Sequence, residues 1–399
     1  MLRKYLDKIK PNFEPEGKFH AFRSVYDGFE TLLYTPRSTS KSGSHVHDSL
    51  DSKRVMIIVV AALVPCLLFG MYNTGYQNFL GSGITDMNFW KIMLYGFLAI
   101  LPKIIVTYAV GLGIEFIVAQ WRGEEIQEGF LVTGILVPLI CPVTTPLWML
   151  AVATAFSVIF VKEVFGGTGY NIFNVALVTR AVLFFGYPAQ MSGDRAFISA
   201  DPICGIGGHV TYSDAFTGAT PLGQIANGAD YVTDAAGHIL STWDAFLGLY
   251  PGSFGETSTL CVLIGGLLLL LTGIASWKIM FSVFAGGLAM GWIAYTFQSP
   301  IYPGSHILPI DQLVYGGFAF AAVFMATDPV TAARTGIGKY IYGFLVGVIA
   351  VIIRVYNNGY PEGAMLAVLL MNALAPLIDY CVVQSNIKLR EKRAIKSNN

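Results

Sequence analysis

The side chain in this sequence best placed for covalent chemistry is a threonine, the last residue of the run Asp214-Ala215-Phe216-Thr217-Gly218-Ala219-Thr220. Gly218 relieves the φ restriction just ahead of it and Ala219 raises no steric wall, so an enzyme could reach and modify the Thr220 hydroxyl. Small and hydroxylated residues of this kind also make ordinary turns, and the run alone leaves both readings open. A second constellation is Gly166-Gly167-Thr168-Gly169-Tyr170-Asn171, preceded by Lys162-Glu163. Successive amides in such a loop can cradle an anion or let a flat ring approach the backbone, and a tight turn between helices is the plain alternative. It is not a Walker motif, because no Gly-Lys-Ser/Thr follows. Arg180 lies inside an apolar stretch, where a lone cation calls for a cavity, an anionic ligand or an acid on another helix. Helical spacing would set Asn171, Asn174 and Val178 on one stripe nearby. Glu115, Glu163, Asp328 and Asp379 lie inside or at the rim of apolar stretches, and such hard oxygen ligands suit Na+ or protons better than soft metals.

Other chemistries find little support. The five cysteines are scattered with no Cys-x-x-Cys pair, which argues against a cluster, a metal centre or a disulfide framework. The six histidines fall in polar segments with no two on one face of a span, so a haem pair is not expected. No Gly-x-Ser-x-Gly elbow occurs, and no Gly-x-Gly-x-x-Gly follows a strand, so neither hydrolysis nor nicotinamide binding is indicated. A formal net charge of zero, without basic residues interleaved with aromatics, argues against a nucleic-acid partner.

The elements that must position these residues are membrane helices. The 399 residues are 54% apolar and 13% charged, with mean hydropathy +0.59, which is the composition of a polytopic membrane protein. The polar opening contains no cleavable signal peptide. At about 20 apolar residues per crossing, ten spans are expected, near 53–72, 91–120, 127–141, 146–163, 171–187, 258–276, 279–297, 311–327, 340–356 and 363–383. The second is long enough to tilt or break near Pro102-Lys103. The organisation expected is a segment 1–51, a five-helix unit 52–188, a loop 189–256 carrying Thr220, a second five-helix unit 257–384 and a basic tail 385–399.

Lys and Arg set the orientation. With the N-terminus in the cytoplasm, 20 of the 25 fall on that side, only Lys91 and Arg195 fall outside, and Lys103, Arg180 and Arg354 lie within spans. Both termini are then cytoplasmic and the 189–256 loop is extracytoplasmic. The halves also look alike: Glu128-Gly129-Phe130 leads to Pro142-Val143-Thr144 as Gly316-Gly317-Phe318 leads to Pro329-Val330-Thr331. Five spans is an odd number, so the second copy must be inverted, and inverted repeats place a site between them at helices interrupted by Gly or Pro. The fold class expected is an all-α membrane protein of ten helices in a 5+5 inverted repeat.

Taken together these residues resemble one family. The Thr220 run is similar to the Asp-Gly-x-(Ser/Thr)-Gly-Ala-Thr signal at which a flavin transferase esterifies the phosphate of FMN to the final threonine, with Ala215 where glycine is usual. The opening, with Gly43-Ser44-His45-Val46-His47-Asp48-Ser49, resembles that of the B subunit of the sodium-pumping NADH:quinone oxidoreductase. So do Glu128-Gly129-Phe130, Val164-Phe165-Gly166-Gly167-Thr168-Gly169, Gly186-Tyr187-Pro188-Ala189-Gln190 and Pro221-Leu222-Gly223. Val175-Ala176-Leu177-Val178-Thr179 departs from the family's proline and small-residue version. The resemblance implies a member of a multi-subunit complex in the bacterial inner membrane that passes electrons to quinone, coupled to Na+ export. It implies FMN as a phosphoester on Thr220, with Asp214, Thr217, Gly218 and Ala219 as recognition residues, and a second flavin, riboflavin. Gly166, Gly167, Thr168, Asn171, Asn174 and Arg180 become the cofactor-proximal candidates, and Glu128, Gly129 and Asp379 the Na+ and quinone-side candidates. Two alternatives stand beside this: the D subunit of the related Rnf complex, which shares the threonine motif but lacks the 50-residue opening, and a small-solute transporter built on the same kind of repeat.

Overall fold

A computed structural model describes residues 2–13, 17, 26, 30, 33, 34, 42–44, 52–81, 88–123, 129–191, 193, 218–229, 231–234, 237–357 and 359–398. Glu128, Asp214 and Thr217 lie outside the described residues. In chain order the α-helices are α1 (Leu2–Ile9), α2 (Ser52–Gly81), α3 (Phe89–Arg122), α4 (Phe130–Ile140), α5 (Leu147–Ser157), α6 (Val175–Gly186), α7 (Pro188–Met191), α8 (Pro221–Ala226), α9 (Thr242–Leu247), α10 (Thr259–Leu271), α11 (Trp277–Thr296), α12 (Pro309–Val314), α13 (Phe318–Phe320), α14 (Gly336–Tyr356) and α15 (Ala364–Asn398). Wide π-helical turns continue α5 over Val158–Glu163 and α13 over Ala321–Met325. Among the described residues the only β pairing is two isolated bridges.

Five helices are long and apolar enough to cross a bilayer: Lys53–Gly81, Phe89–Arg122, Trp277–Thr296, Gly336–Tyr356 and Ala364–Ile395. This is a multi-pass membrane protein. Phe130–Ile140, Val175–Gly186 and Thr259–Leu271 are apolar but shorter, and an 11-residue helix reaches only about 17 Å of the roughly 30 Å hydrocarbon core. The expected spans near 127–141, 146–163, 171–187, 258–276 and 311–327 are thus not full-length α-helices. Their interruptions have local causes. Pro142 disfavours a helical Cys141, which is extended at φ −96° and ψ 152°. Gly316 takes the left-handed region at φ +64° and separates α12 from α13. The break expected near Pro102 does not occur, and α3 runs through it as one helix capped by Asn88 at its start and Gly123 at its end.

Small residues let these helices approach backbone to backbone, the usual device where lipid gives no hydrophobic drive between helices. A Cβ on Gly96 of α3 would lie 1.8 Å from the Met71 carbonyl of α2, and one on Gly75 of α2 would lie 2.2 Å from the Ile92 carbonyl of α3. In the second half, Gly286 of α11 meets the Phe344 carbonyl and Gly347 of α14 meets the Val283 carbonyl in the same way. A single core joins both halves through Leu63, Ile100, Leu139, Leu183, Val262 and Phe320, and Leu222, Tyr250, Val314 and Tyr315 form a smaller one beneath α8 and α9.

Candidate functional site

Two buried polar regions lie between the halves. The first is a cavity of about 110 Å³ lined by Gly129, Lys162, Thr168, Asn171, Asn174 and Asp328 on its polar side, with α2, α10 and Phe324 supplying apolar walls. Each residue has an identifiable support. Lys162 sits on the π turn after α5 and forms a buried ion pair with Glu115 of α3. Beside it, Arg122 donates to the Glu163 carbonyl at 2.7 Å. Glycines at 166, 167 and 169, all at positive φ, reverse the chain after the π turn. The Gly166 and Gly167 amides donate to the Glu163 and Lys162 carbonyls, so they close the helix end and are not aimed outward as a cradle. Thr168 rests on Gly129, where a Cβ would come within 2.5 Å of the threonine methyl.

Asn174 is the pivot of this cavity. It caps α6, its Oδ1 accepting from the amides of Ala176 and Leu177 at 3.0 and 3.3 Å. Its Nδ2 donates across the halves to Asp328 Oδ2 at 3.2 Å. Asp328 also accepts from the Val330 amide and the Thr331 hydroxyl. Asn171 lies before the helix, donating to the Phe173 carbonyl at 2.9 Å, so the expected stripe of Asn171, Asn174 and Val178 along one helix does not form. The Thr168 hydroxyl is buried and has no hydrogen-bond partner. A buried hydroxyl left unpaired costs about 1–3 kcal/mol. A cavity with an orphaned hydroxyl and amides on one wall and apolar side chains on the other has the make-up of a small-molecule site.

The second region holds Thr220 and Arg180. The loop 249–257 is bound to the break in α4: the Gly255 amide donates to the Leu139 carbonyl at 2.8 Å, supplying a partner that the broken helix lacks. This carries Glu256 to Arg180 of α6, whose Nη1 donates to Glu256 Oε1 at 2.7 Å. The Nη2 donates to Glu362, just before α15, and to Ser253 Oγ at 3.4 Å. Burial pushes the Glu256 carboxyl upward from its ordinary value while Arg180 pulls it back. Arg180 is therefore not a free cation waiting for a ligand; two acids on loops neutralise it. Thr220, Ser253, Glu256, Glu362, Tyr250 and Gly316 line one small cavity above the pair.

Thr220 differs from its expected setting. It is buried, 5% exposed, and its hydroxyl caps α8 by accepting from the Gly223 amide at 3.1 Å. Two glycine backbones pack beside it: a Cβ on Gly193 would lie 2.8 Å from its Oγ1, and one on Gly223 would lie 3.2 Å away. Gly218 takes φ +59°, the flexible position ahead of it.

The remaining candidates separate. Gly129 lines the first cavity. Asp379, on α15, is filled by donors, accepting from the Arg334 amide at 2.8 Å, the Thr335 amide at 3.0 Å and the Thr335 hydroxyl at 2.6 Å. It ties α15 to the start of α14. Glu115, read as a rim acid, is buried against Lys162. Glu256, Glu362 and Ser253 were not singled out by sequence reasoning. No local signal in the sequence points to them, because their partner Arg180 lies 73 to 182 positions away.

The family model described as the NQR2, RnfD, RnfE family matches residues 39–388. Similar proteins include the B subunit of the Na(+)-translocating NADH-quinone reductase of Chromohalobacter salexigens, 44% identical over 98% of this chain and 96% of its own. That of Pseudomonas paraeruginosa is 43% identical over 98% and 99%. That of Azotobacter vinelandii is 43% identical over 99% and 100%.

Proposed function

The chain belongs to the NQR2, RnfD, RnfE family, and from that premise we propose that it is the B subunit of a sodium-translocating NADH:quinone oxidoreductase. The observation that carries this reading is likeness along essentially the whole chain to three proteins of that name, the opening segment included. The same opening disfavours the Rnf-type alternative, and the two buried polar regions between the halves disfavour a plain solute pore.

In this reading FMN is a phosphoester on Thr220. The Gly193 and Gly223 backbones beside Oγ1 support it, because neither brings a side chain against the hydroxyl. A flavin transferase would act on Asp214, Thr217, Gly218, Ala219 and Thr220 from outside the cytoplasm. A second flavin, riboflavin, would be held at the first cavity, where Thr168, Asn171 and Asn174 offer hydrogen bonds. A flavin there supplies one- and two-electron redox chemistry. The chain's own residues would hold and shield it: Asp328 and the Lys162–Glu115 pair would set the charge of the wall, and Phe324 with the α2 and α10 side chains would exclude water. Quinone would be reduced on the cytoplasmic side with Na+ movement coupled to it, and other subunits would provide the nicotinamide site. Glu128 and Gly129 remain the ion-path and quinone-side candidates, with Asp379 holding the adjoining loop.

The matching topology is ten crossings in a 5+5 inverted repeat, both termini cytoplasmic, in the bacterial inner membrane. The two π turns and the interruptions at Cys141-Pro142 and Asp328-Pro329 support it, since each half then contributes one broken element to the midplane. Denaturing electrophoresis of the chain from native membranes tests the core of the proposal. A flavin-fluorescent band that disappears in Thr220→Ala is expected, together with an FMN mass on the peptide spanning 196–250. A dark band, or one unaffected by Thr220→Ala, overturns it.

A further inference from the structure

A groove of about 410 Å³ runs along the outer face of the second half, between α11 and α14, lined by Phe281, Ser282, Ala285, Tyr340, Phe344 and Leu345. Its floor is low because α11 and α14 touch through Gly286, Gly343 and Gly347. Its walls are aromatic and face outward, Phe281 64% and Phe344 43% exposed. The two helices run parallel: Ile279 and Ser282 meet Gly343, and Val283 meets Gly347 one turn further along both. Their N-terminal ends therefore sit at the same rim, and each carries a lysine in its first turn, Lys278 and Lys339.

That placement is electrostatically unusual. A helix N-terminus already bears positive partial charge, so a lysine there is favoured only if an anion joins it. Among the described residues neither lysine has a carboxylate partner. Asp379 stands at the start of α14, accepting from the Arg334 and Thr335 amides and the Thr335 hydroxyl, whereas the first turn of α11 carries no acid. Lys278 Nζ lies 5.7 Å from the Tyr340 ring centroid, at the groove's end, with Trp277 stacked edge-on against Tyr340 at 6.0 Å. Aromatic side chains of this kind and half-buried lysines sit at the level of lipid headgroups.

We infer that this groove binds an anionic phospholipid, its phosphate between Lys278 and Lys339 and one acyl chain along Phe281, Ala285, Phe344 and Leu345. Charge selects the occupant: a neutral isoprenoid tail would use the groove but not the lysines, and a partner helix would need acids at this rim.

The test uses the purified whole complex with phosphatidylglycerol carrying a photoactivatable acyl chain, and reads labelled peptides from 277–296 and 336–356. Labelling of these two segments is expected, falling roughly 5-fold for each lysine changed to Gln, since a basic residue near an anionic headgroup is worth about 1 kcal/mol. Lys278→Arg with Lys339→Arg should keep it, and Ala285→Phe should block it. If the Gln variants do not assemble, raising salt on the unchanged complex must weaken labelling. Equal labelling by phosphatidylcholine, indifference to both the lysines and salt, or capture of a neighbouring subunit's helix at these positions would each overturn the inference.

Discussion

The two polar regions between the halves are built from similar residue types yet behave differently. Around Arg180 the cation is fully engaged: two carboxylates, a serine hydroxyl and a docked loop close on one guanidinium. Around Asn174 the polar wall borders a cavity, and the Thr168 hydroxyl is left unpaired. A buried polar group that is fully satisfied holds the protein together, whereas one left over beside empty space is held ready for something else. By this measure the Arg180 region clamps the 249–257 loop beside Thr220, and the Asn174 region has the make-up of a ligand site.

The largest effect should come from opening the clamp. Arg180→Ala leaves Glu256 and Glu362 buried together without a cation, and breaking such a pair costs about 3–5 kcal/mol. The expected outcome is loss of assembled complex or a steep fall in its melting temperature. Flavin on Thr220 should fall only in proportion to the surviving protein. Normal assembly of Arg180→Ala would show that the cluster is not structural, and the contrast between the two regions would fail. Next in size is Gly317→Ala. A Cβ there would lie 2.7 Å from the Glu256 carboxylate carbon, and overpacking of this sort typically costs about 1–3 kcal/mol. Thermal unfolding should show a drop that Arg180→Ala largely masks, because both changes act on the same contact.

Much of this was legible in the residues. Apolar runs and the distribution of Lys and Arg mark a multi-pass membrane protein, and Thr168, Asn171, Asn174 and Gly129 do converge on one cavity, while Gly166 and Gly167 only close the helix end beside it. Helix continuity was not legible, because hydropathy measures how apolar a stretch is and is blind to whether its backbone is broken. Gly316 ends a helix inside a run that reads as unbroken. Pro102 is the reverse case, a residue that normally kinks a helix sitting in one that continues. Partners distant in sequence were also hidden: nothing near Glu256 or Glu362 in the chain reveals that both point at Arg180, 76 and 182 positions away. Likewise Thr220 reads as an open hydroxyl until folding lays Gly193 over it.

A smaller effect separates the two roles of Asn174. Asn174→Ala removes the cap of α6 and the link to Asp328; loss of such a cap costs about 0.5–2 kcal/mol. Asn174→Asp keeps an acceptor for the Ala176 and Leu177 amides but sets a second carboxylate against Asp328. If capping is its main work, the Asp variant should melt close to the unchanged protein. If the contact between halves matters more, the Asp variant should be the weaker of the two. Differential scanning fluorimetry of the complex reads the order directly, and extraction of non-covalent flavin by denaturation shows whether the cavity empties in step.

The least change in stability, and the sharpest test of the contrast, is expected from Thr168→Val. Valine has nearly the shape of threonine, so the contact with Gly129 is preserved and no cavity is opened. The hydroxyl it removes has no protein partner to lose, and deleting an unpaired buried polar group is neutral or stabilising. Melting should therefore stay level or rise slightly. A hydroxyl retained for a ligand predicts something else in the same sample: non-covalent flavin recovered per complex should fall while fluorescence on Thr220 stays unchanged. If both stability and flavin content are indifferent to the substitution, the vacant hydroxyl has no ligand to meet. The cavity around Asn174 would then be a packing gap, and the difference between the two regions would be one of degree alone.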